Sequence, residues 1–537
     1  MTSRRYAPVL LRLVAVVMTL ALLAGSGAMV SRAQDEERGG TLTWAFILKP
    51  RSLDPNVWTG RSDNDVMRQI FDSLVYSPAP GEYVPWLAES WEISEDGTVY
   101  TFTLREDVTF HDGTPLNAEA FKATYDRMLD PETRSLQVGN LGPYESTEVI
   151  DEYTFAINLT EPFAPLMANL SSTQLAPGSP AAFEEFGEQY AQSPVGTGPF
   201  MFDRWEGNDL YLVKNPDYNW APEGMDHQGP AYLDEIVIRE VAEPATRMVT
   251  LQTGEANVTH YPVFEEVASY EEQGFQVYRA DTPGFAKSMP INIELAPTDD
   301  LLVRQAILHG INRQQVIDLI QAGYANVANG PLTRPSFGYD PAVEEMYPYD
   351  PERAAALLEE AGWVDGNGDG IREKDGQNLS VQMIMFDSGP NKAMAELIQA
   401  MLTELGFEAS LDVTAYDAFA SRVTEGTYNL AEMNWTALDP HLVLFNMFHS
   451  GEVTGGGQFN RTRIQDPELD ELIARGRMAT DPAEREEVYA EIQQYVMDNA
   501  LILPIWDNAW ITLTAPNVQG LRFDLEGRPL LYNVWVE

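Results

Sequence analysis

The sequence predicts an α/β protein, on three observations. Period-two strand patterns and 3.6-residue helical stripes intermix along the whole chain. The helices carry recognisable start and stop residues. No fixed-period repeat, low-complexity stretch or long linker divides the chain into beads. Tyr100, Phe102 and Leu104 alternate with Thr101 and Thr103, and Tyr153 to Thr160 alternates in the same way, as half-buried strands do. Leu210 to Val213 and Ile236-Val237-Ile238 are aromatic or β-branched runs of strand length. Leu301 to Gly310 reads as a helix. Asp350-Pro351 is an N-cap and N1 pair ahead of the stripe Ala354, Leu357, Leu358, Ala361, stopped by Gly362. Met394, Leu397, Ile398, Met401, Leu402 and Leu405 form another stripe that stops at Gly406, with a strand from Glu408 to Val413 after it. Asp481-Pro482 opens a helix with Val488, Ile492, Tyr495 and Val496 on one face. Glycine and proline punctuate the chain without long linkers, which predicts lobes that share segments.

The 537 residues suffice for about three or four domains. With 44% apolar and 22% charged residues the chain is not disordered. Against 34 Lys+Arg stand 82 Asp+Glu, a formal −48 that argues against nucleic acid and anionic lipid as partners. There is no Cys, so disulfides, thiolate catalysis, Cys-ligated metals and a lipid-modified N-terminal Cys are all excluded.

Residues 1–33 read as an export signal. Arg4 and Arg5 lead, Leu10 to Val30 is apolar apart from Arg12, Thr19 and Gly25-Ser26-Gly27, and Ser31-Arg32-Ala33 offers a cleavage site. An uncleaved anchor is the alternative, because the stretch approaches the roughly 20 residues that span a bilayer. Cleavage places the mature protein outside the cytoplasm without a lipid anchor. It removes four Arg and no acid, for a formal −52, a charge that favours solubility and says little of fold.

Catalytic motifs are scarce. G-x-S-x-G, H-E-x-x-H and a phosphate-loop G-K-[ST] are all missing, and Gly196-Thr197-Gly198-Pro199 reads as a turn. The six His show no i,i+4 pair, and His441 and His449 lack a third ligand. Carboxylates are too numerous for any two to mark a glycosidase.

One segment has metal-site spacing. Asp365, Asn367 and Asp369 stand at positions 1, 3 and 5 of a calcium-loop pattern, with Gly370 at 6 and the Ile371 carbonyl at 7. Position 12 is Gly376, so Asp375 or Glu373 would supply the missing oxygen. Calcium here would be structural; no cofactor is required, and a tight loop of turn formers is the alternative. Most of the eleven Trp fit core patterns, but Trp58 lies in a polar loop and Trp435 opens the loop Asn434 to Pro440. An aromatic body with a polar rim suits peptides and sugars alike.

Leu87-Ala88-Glu89-Ser90-Trp91, Asp96 to Arg105 and Val108 to Glu119 together resemble the signature of the large extracytoplasmic solute-binding proteins of ABC importers (family 5), which includes dipeptide, oligopeptide and nickel binders. Ser52-Leu53-Asp54-Pro55, Gly196 to Phe200, Val303-Arg304-Gln305-Ala306 with Ile311-Asn312-Arg313, and Tyr349 to Trp363 are similar too, so the likeness spans the mature chain. It implies a two-lobed periplasmic-binding-protein-like α/β fold (class II, cluster C) with a hinge and an extra subdomain. The expected division is 34–75, 190–285 and 505–537 for lobe I, 76–189 for its subdomain and 286–504 for lobe II, with crossings near Lys287–Asn292 and Leu503–Trp506.

The resemblance also implies a function. The chain would capture a solute between its lobes and deliver it to a membrane permease driven by a partner ATPase, as a monomer and not as an enzyme; a secreted glycoside hydrolase and a non-transport scaffold are the alternatives. The ligand-contact candidates are Asn56, Trp58, Tyr261, Asn292, Tyr416, Glu432, Trp435 and Asp439. In peptide-binding relatives an Asp after the Trp takes the peptide ammonium. Here Thr436-Ala437-Leu438 follow Trp435, Asp439 belongs to a separate D-P step, and Glu432 stands where some relatives have Arg. Those departures point to a neutral or cationic solute, peptide-like or an oligosaccharide stacked on Trp58 and Trp435.

Overall fold

The computed structural model describes residues 38–58, 60–453 and 459–537; the export signal at 1–33 and the first residues of lobe I lie outside them. The alternation Thr41-Leu42-Thr43-Trp44 becomes the strand Thr41–Phe46, with Leu42 and Trp44 fully buried. It is central in a seven-stranded mixed sheet. The spatial order is Gln276–Asp281, Ala509–Thr514, Val258–His260, Thr41–Phe46, Glu235–Glu240, Asp209–Lys214, Phe200–Glu206. Thr41–Phe46 runs parallel to both neighbours, with Trp44 opposite Ile238 and Val258.

The period-two segments of the N-terminal third form a separate antiparallel sheet, ordered Ala88–Ile93, Val99–Leu104, Thr154–Leu159, Tyr144–Asp151. Phe102 stacks on Phe155 at 5.4 Å, and Phe155 on Phe121 of the helix Ala118–Leu129 at 4.8 Å. This sheet shares one continuous apolar core with the large sheet, so subdomain and lobe I are buried together.

A second large core belongs to lobe II. Its parallel sheet orders Glu408–Thr414, Ser380–Phe386, Leu430–Ala431, and the helix Asn391–Glu404 connects the first two. The caps act as the sequence predicts. Asp350 accepts from the Arg353 N–H at 2.9 Å to start Pro351–Glu360, and Asp481 accepts from Glu484 at 3.0 Å to start Pro482–Asp498. Such caps are worth about 1 kcal/mol each. Leu301–Gly310 is a helix.

Between the lobes runs a three-stranded antiparallel sheet, Met433–Thr436, Gly284–Pro290, Ile502–Trp506. Gly284 has φ +129°, and a Cβ there would lie 2.2 Å from the Trp435 carbonyl, so the strand that brings Trp435 to the crossing requires glycine. The Gly196 to Pro199 turn packs equally close: the Gly198 N–H donates to the Ile70 carbonyl at 2.8 Å, closing the end of the helix Arg61–Ile70. Among the described residues no helix is long and apolar enough to cross a membrane.

Candidate functional site: the crevice between the lobes

In both lobes the parallel strands end toward loops that carry aromatic residues, the usual place for a ligand crevice in α/β sheets. In lobe II, Phe386 ends one strand and Tyr416 follows the next; Tyr416 is 59% exposed and stands edge-on to Phe386 at 5.7 Å. Trp435 is half-buried on Met433–Thr436, edge-on to Phe459 at 5.0 Å. In lobe I, Tyr261 follows Val258–His260 at φ +53° and meets Trp510 edge-on at 5.3 Å. Burial pushes the Tyr261 phenol up to about 12, so it stays protonated as a donor. Thr282 and Thr436 bring their hydroxyls to 3.5 Å across the crossing, beside Trp435.

Four expected ligand contacts are corrected by their partners. Asn56 donates its amide to the Gln174 and Ala176 carbonyls at 3.0 and 3.1 Å, tying the first loop to the subdomain. Asn292, fully buried, donates to the Gly426 and Tyr428 carbonyls. Glu432, 1% exposed, is ion-paired with Lys287 at 2.6 Å, and Lys287 also donates to Asn391 at 2.8 Å. Asp439 caps the helix Pro440–Phe448 through the His441 N–H and holds Arg485 at 2.8 Å. A buried charge survives only when paired, and these four side chains are spent on structure. Trp58 is half-buried with its indole N–H on Asp63 at 2.9 Å, so it is fixed at the start of Arg61–Ile70 and not free in a loop.

The structure adds a charged wall in lobe I that sequence reading missed. Arg61 donates to the Glu526 and Gly527 carbonyls at 2.6 Å each, pairs with Asp65 at 3.1 Å and lies 4.3 Å over Trp510. Arg68 faces Asp524 at 3.5 Å and lies 4.7 Å over Trp86. Arg528 pairs with Glu526 and sits 3.7 Å from Asp524. Burial raises the Asp65 carboxyl to about 6 and also raises Glu526. The turn carrying Asp524 and Glu526 joins the strands Arg522–Phe523 and Pro529–Leu530. Asp524-Leu525-Glu526-Gly527 between two apolar segments was a readable turn signal, but nothing local tied it to a helix more than 450 residues upstream.

Arg68, Asp524, Leu525 and Glu526 of lobe I, Ser77 and Ser171 of the subdomain side and Leu438 of lobe II enclose one small gap. A larger cavity of about 410 Å³ lies beside it, between the subdomain (Asn140, Phe163, Asn169) and lobe II (His441, Phe445, Arg477). Burial lowers His441 to about 4, so the imidazole there is neutral at physiological pH. The two bodies touch: Arg477 pairs with Glu161 at 2.6 Å and accepts the Ala164 N–H on its carbonyl at 2.9 Å.

In the calcium-like loop, Asp365, Asp369 and Glu373 each bring a carboxylate oxygen within 4.8 Å of the others. Asp365 accepts from the Gly368 and Gly370 N–H groups, and Asn367 from Asp369. Asp375 is corrected: at φ +53° it turns the hairpin of Glu373–Lys374 and Gln377–Asn378, and Glu373 takes the place expected of it.

Two lobes joined by crossing strands, with a crevice walled by both, define a periplasmic-binding-protein-like clamp. The family model of bacterial extracellular solute-binding proteins, family 5, matches residues 82–455, and the chain belongs to that family. Its relatives include the nickel-binding periplasmic protein of Escherichia coli K12, 28% identical with 94% of this chain and 95% of that one covered. The glutathione-binding protein GsiB of the same strain is 30% identical, covering 81% and 82%. Among solved structures, the ABC transporter-associated periplasmic binding protein DppA of Helicobacter pylori, in complex with peptide STSA, superposes with TM-score 0.75 at 27% identity, covering 94% of this chain and 100% of that one. The chain is thus a solute-binding protein of an ABC-type importer.

Proposed function

We propose that the protein captures a small peptide-like solute in the crevice, outside the cytoplasm, and releases it chemically unaltered, as a monomer, to a membrane permease powered by a partner ATPase. The observation that carries this reading is the arrangement of the crevice itself. Leu438 of lobe II faces a wall built from lobe I and the subdomain, Trp435 lies on the crossing sheet beside it, and crossing strands join the bodies. A guest that touches both sides favours the closed form by its differential affinity, which is what a hinged clamp needs. The names of the relatives, which bind nickel, glutathione or a peptide, support a small polar solute over an oligosaccharide.

The test is a thermal-shift screen of di- and tripeptides, oligosaccharides and metal–amino-acid chelates, followed by solution scattering. The expected result is a raised Tm with a peptide-like compound and a smaller radius of gyration when it is bound. A hit that is returned cleaved, or that leaves the radius unchanged, removes the clamp reading.

We further propose that Asp365, Asn367, Asp369, the Ile371 carbonyl and Glu373 form a structural calcium site, supported by the convergence of the three carboxylates. Chelation with EDTA is expected to lower Tm and added calcium to restore it, with D369N insensitive to both; a Tm indifferent to calcium removes the site.

A further inference from the structure

The large cavity between the subdomain and lobe II has the size and lining of a binding site. At about 410 Å³ it falls within the roughly 300–1,000 Å³ of small-molecule sites. Three rings line it: Phe163 from the subdomain, and His441 and Phe445 from the helix Pro440–Phe448. Phe163 stands edge-on to His441 at 6.1 Å, His441 lies 5.5 Å from Phe445, and Phe445 stacks on His449 at 4.4 Å. The subdomain wall is held in place by its own hydrogen bonds. The Phe163 carbonyl accepts from the Tyr100 hydroxyl at 3.1 Å, and Asn169 donates to the Asn140 carbonyl at 2.8 Å.

The charges of the lining are already matched. Arg477 pairs through Nη2 with Glu161 at 2.6 Å, and Asp439 pairs with Arg485 at 2.8 Å. Burial keeps His441 neutral at physiological pH. Two buried nitrogens on these lining residues, His441 Nδ1 and Arg477 Nε, make no hydrogen bond, so the lining keeps polar capacity without a free charge. That combination suits a neutral aromatic side chain, whose ring packs on rings and whose polar edge, in Tyr or Trp, seeks a partner. A charged group would lose its water there and find no free counter-ion.

The cavity also adjoins the crevice. Asp439 and Asn169 line it, while Leu438 and Ser171 line the small gap next to it. Trp435 precedes Asp439 by four residues, so their backbones are at most about 14 Å apart, a span that about four extended guest residues cover. Both bodies supply wall, and the Ala164 N–H joins the subdomain to lobe II by donating to the Arg477 carbonyl at 2.9 Å. An occupant that touches both walls therefore favours the closed form.

We propose that this cavity is a side-chain subsite of the solute crevice, taking a neutral aromatic side chain of a peptide-like guest about four residues long. The proposal deepens the solute-capture reading and rests on it.

The experiment is calorimetry on the mature chain with tetraalanine, the four tetraalanine variants that carry one tyrosine, and N-acetyltyrosinamide. One of the four tyrosine peptides is expected to bind at least tenfold tighter than tetraalanine, and glutamate in place of its tyrosine to lose that gain. F445A is expected to bring the ratio to threefold or less. L442W, which adds bulk at a lining position that is 38% exposed and so spares the fold, is expected to do the same. Equal affinities for tetraalanine and every tyrosine peptide, a glutamate peptide bound as well as its tyrosine parent, or a preference unaltered in L442W overturns the proposal while capture stands. Binding of N-acetyltyrosinamide without the peptides makes the cavity a site for a free aromatic compound and overturns it in the same way, as does binding confined to another solute class. A chain that binds no compound of the wider screen and never narrows in scattering overturns both readings.

Discussion

The two walls of the crevice handle charge in opposite ways. In lobe II every acid expected at the site is closed off by a cation: Glu432 by Lys287, with Asn391 as a third member, and Asp439 by Arg485, with the Tyr489 hydroxyl at 3.4 Å. What remains open to a guest is aromatic, Trp435 and Tyr416. In lobe I the arginines and acids are paired too, but with one another in a cluster, and Arg68, Asp524 and Glu526 border a gap that Leu438 of lobe II closes. The difference teaches that a closed pair locks one wall locally, whereas a cluster of shared pairs ties distant segments of the other wall together.

The largest effect should come from opening a closed pair. E432A leaves the Lys287 ammonium buried without its counter-ion and should cost about 3–5 kcal/mol in urea unfolding. A cost below about 1 kcal/mol would erase the contrast between the walls.

Next comes Asp72, an acid of lobe I held mainly by neutral donors: Trp220 at 2.8 Å, Thr197 at 3.0 Å and Tyr218 at 3.3 Å. Burial raises its carboxyl from 3.8 to about 6. The folded state therefore binds this proton more tightly than the unfolded state, and the group's contribution to stability is lost as pH rises from about 4 to about 6. D72N lacks that titration, so it should gain on the parent by up to about 3 kcal/mol between pH 4 and pH 7. A pH-independent difference between the two proteins would place Asp72 at an ordinary carboxylate value.

W435A should leave stability nearly intact and weaken the solute by about 1–3 kcal/mol in calorimetry; unchanged affinity would take Trp435 out of the site. The smallest effect is expected of R477Q. Its pair with Glu161 is partly exposed on both sides, which limits the loss to about 1 kcal/mol or less, read as a weaker apparent affinity if the contact helps hold the lobes together.

Much of the scaffold was legible because its signals are local. Asp350-Pro351 and Asp481-Pro482 start helices where they stand, and the alternation at 100–104 and 154–159 becomes adjacent strands, Tyr100 opposite Ile157. The calcium-like loop was legible in composition, but the choice between Glu373 and Asp375 was not: a two-residue hairpin turns Asp375 away. Asn292 and Glu432 looked available in sequence because the groups that occupy them, the Gly426 and Tyr428 carbonyls and Lys287, stand more than 130 residues away.

From the amino-acid order alone came the α/β class, the caps, the family motifs and the absence of thiol chemistry, all consequences of neighbours within a turn or two of one another. Only the folded chain decided which polar side chains were spent on structure. Arg61 reaches carbonyls 465 and 466 residues downstream, and desolvation, which makes an unpaired charge matter, exists only once those distant segments have packed around it.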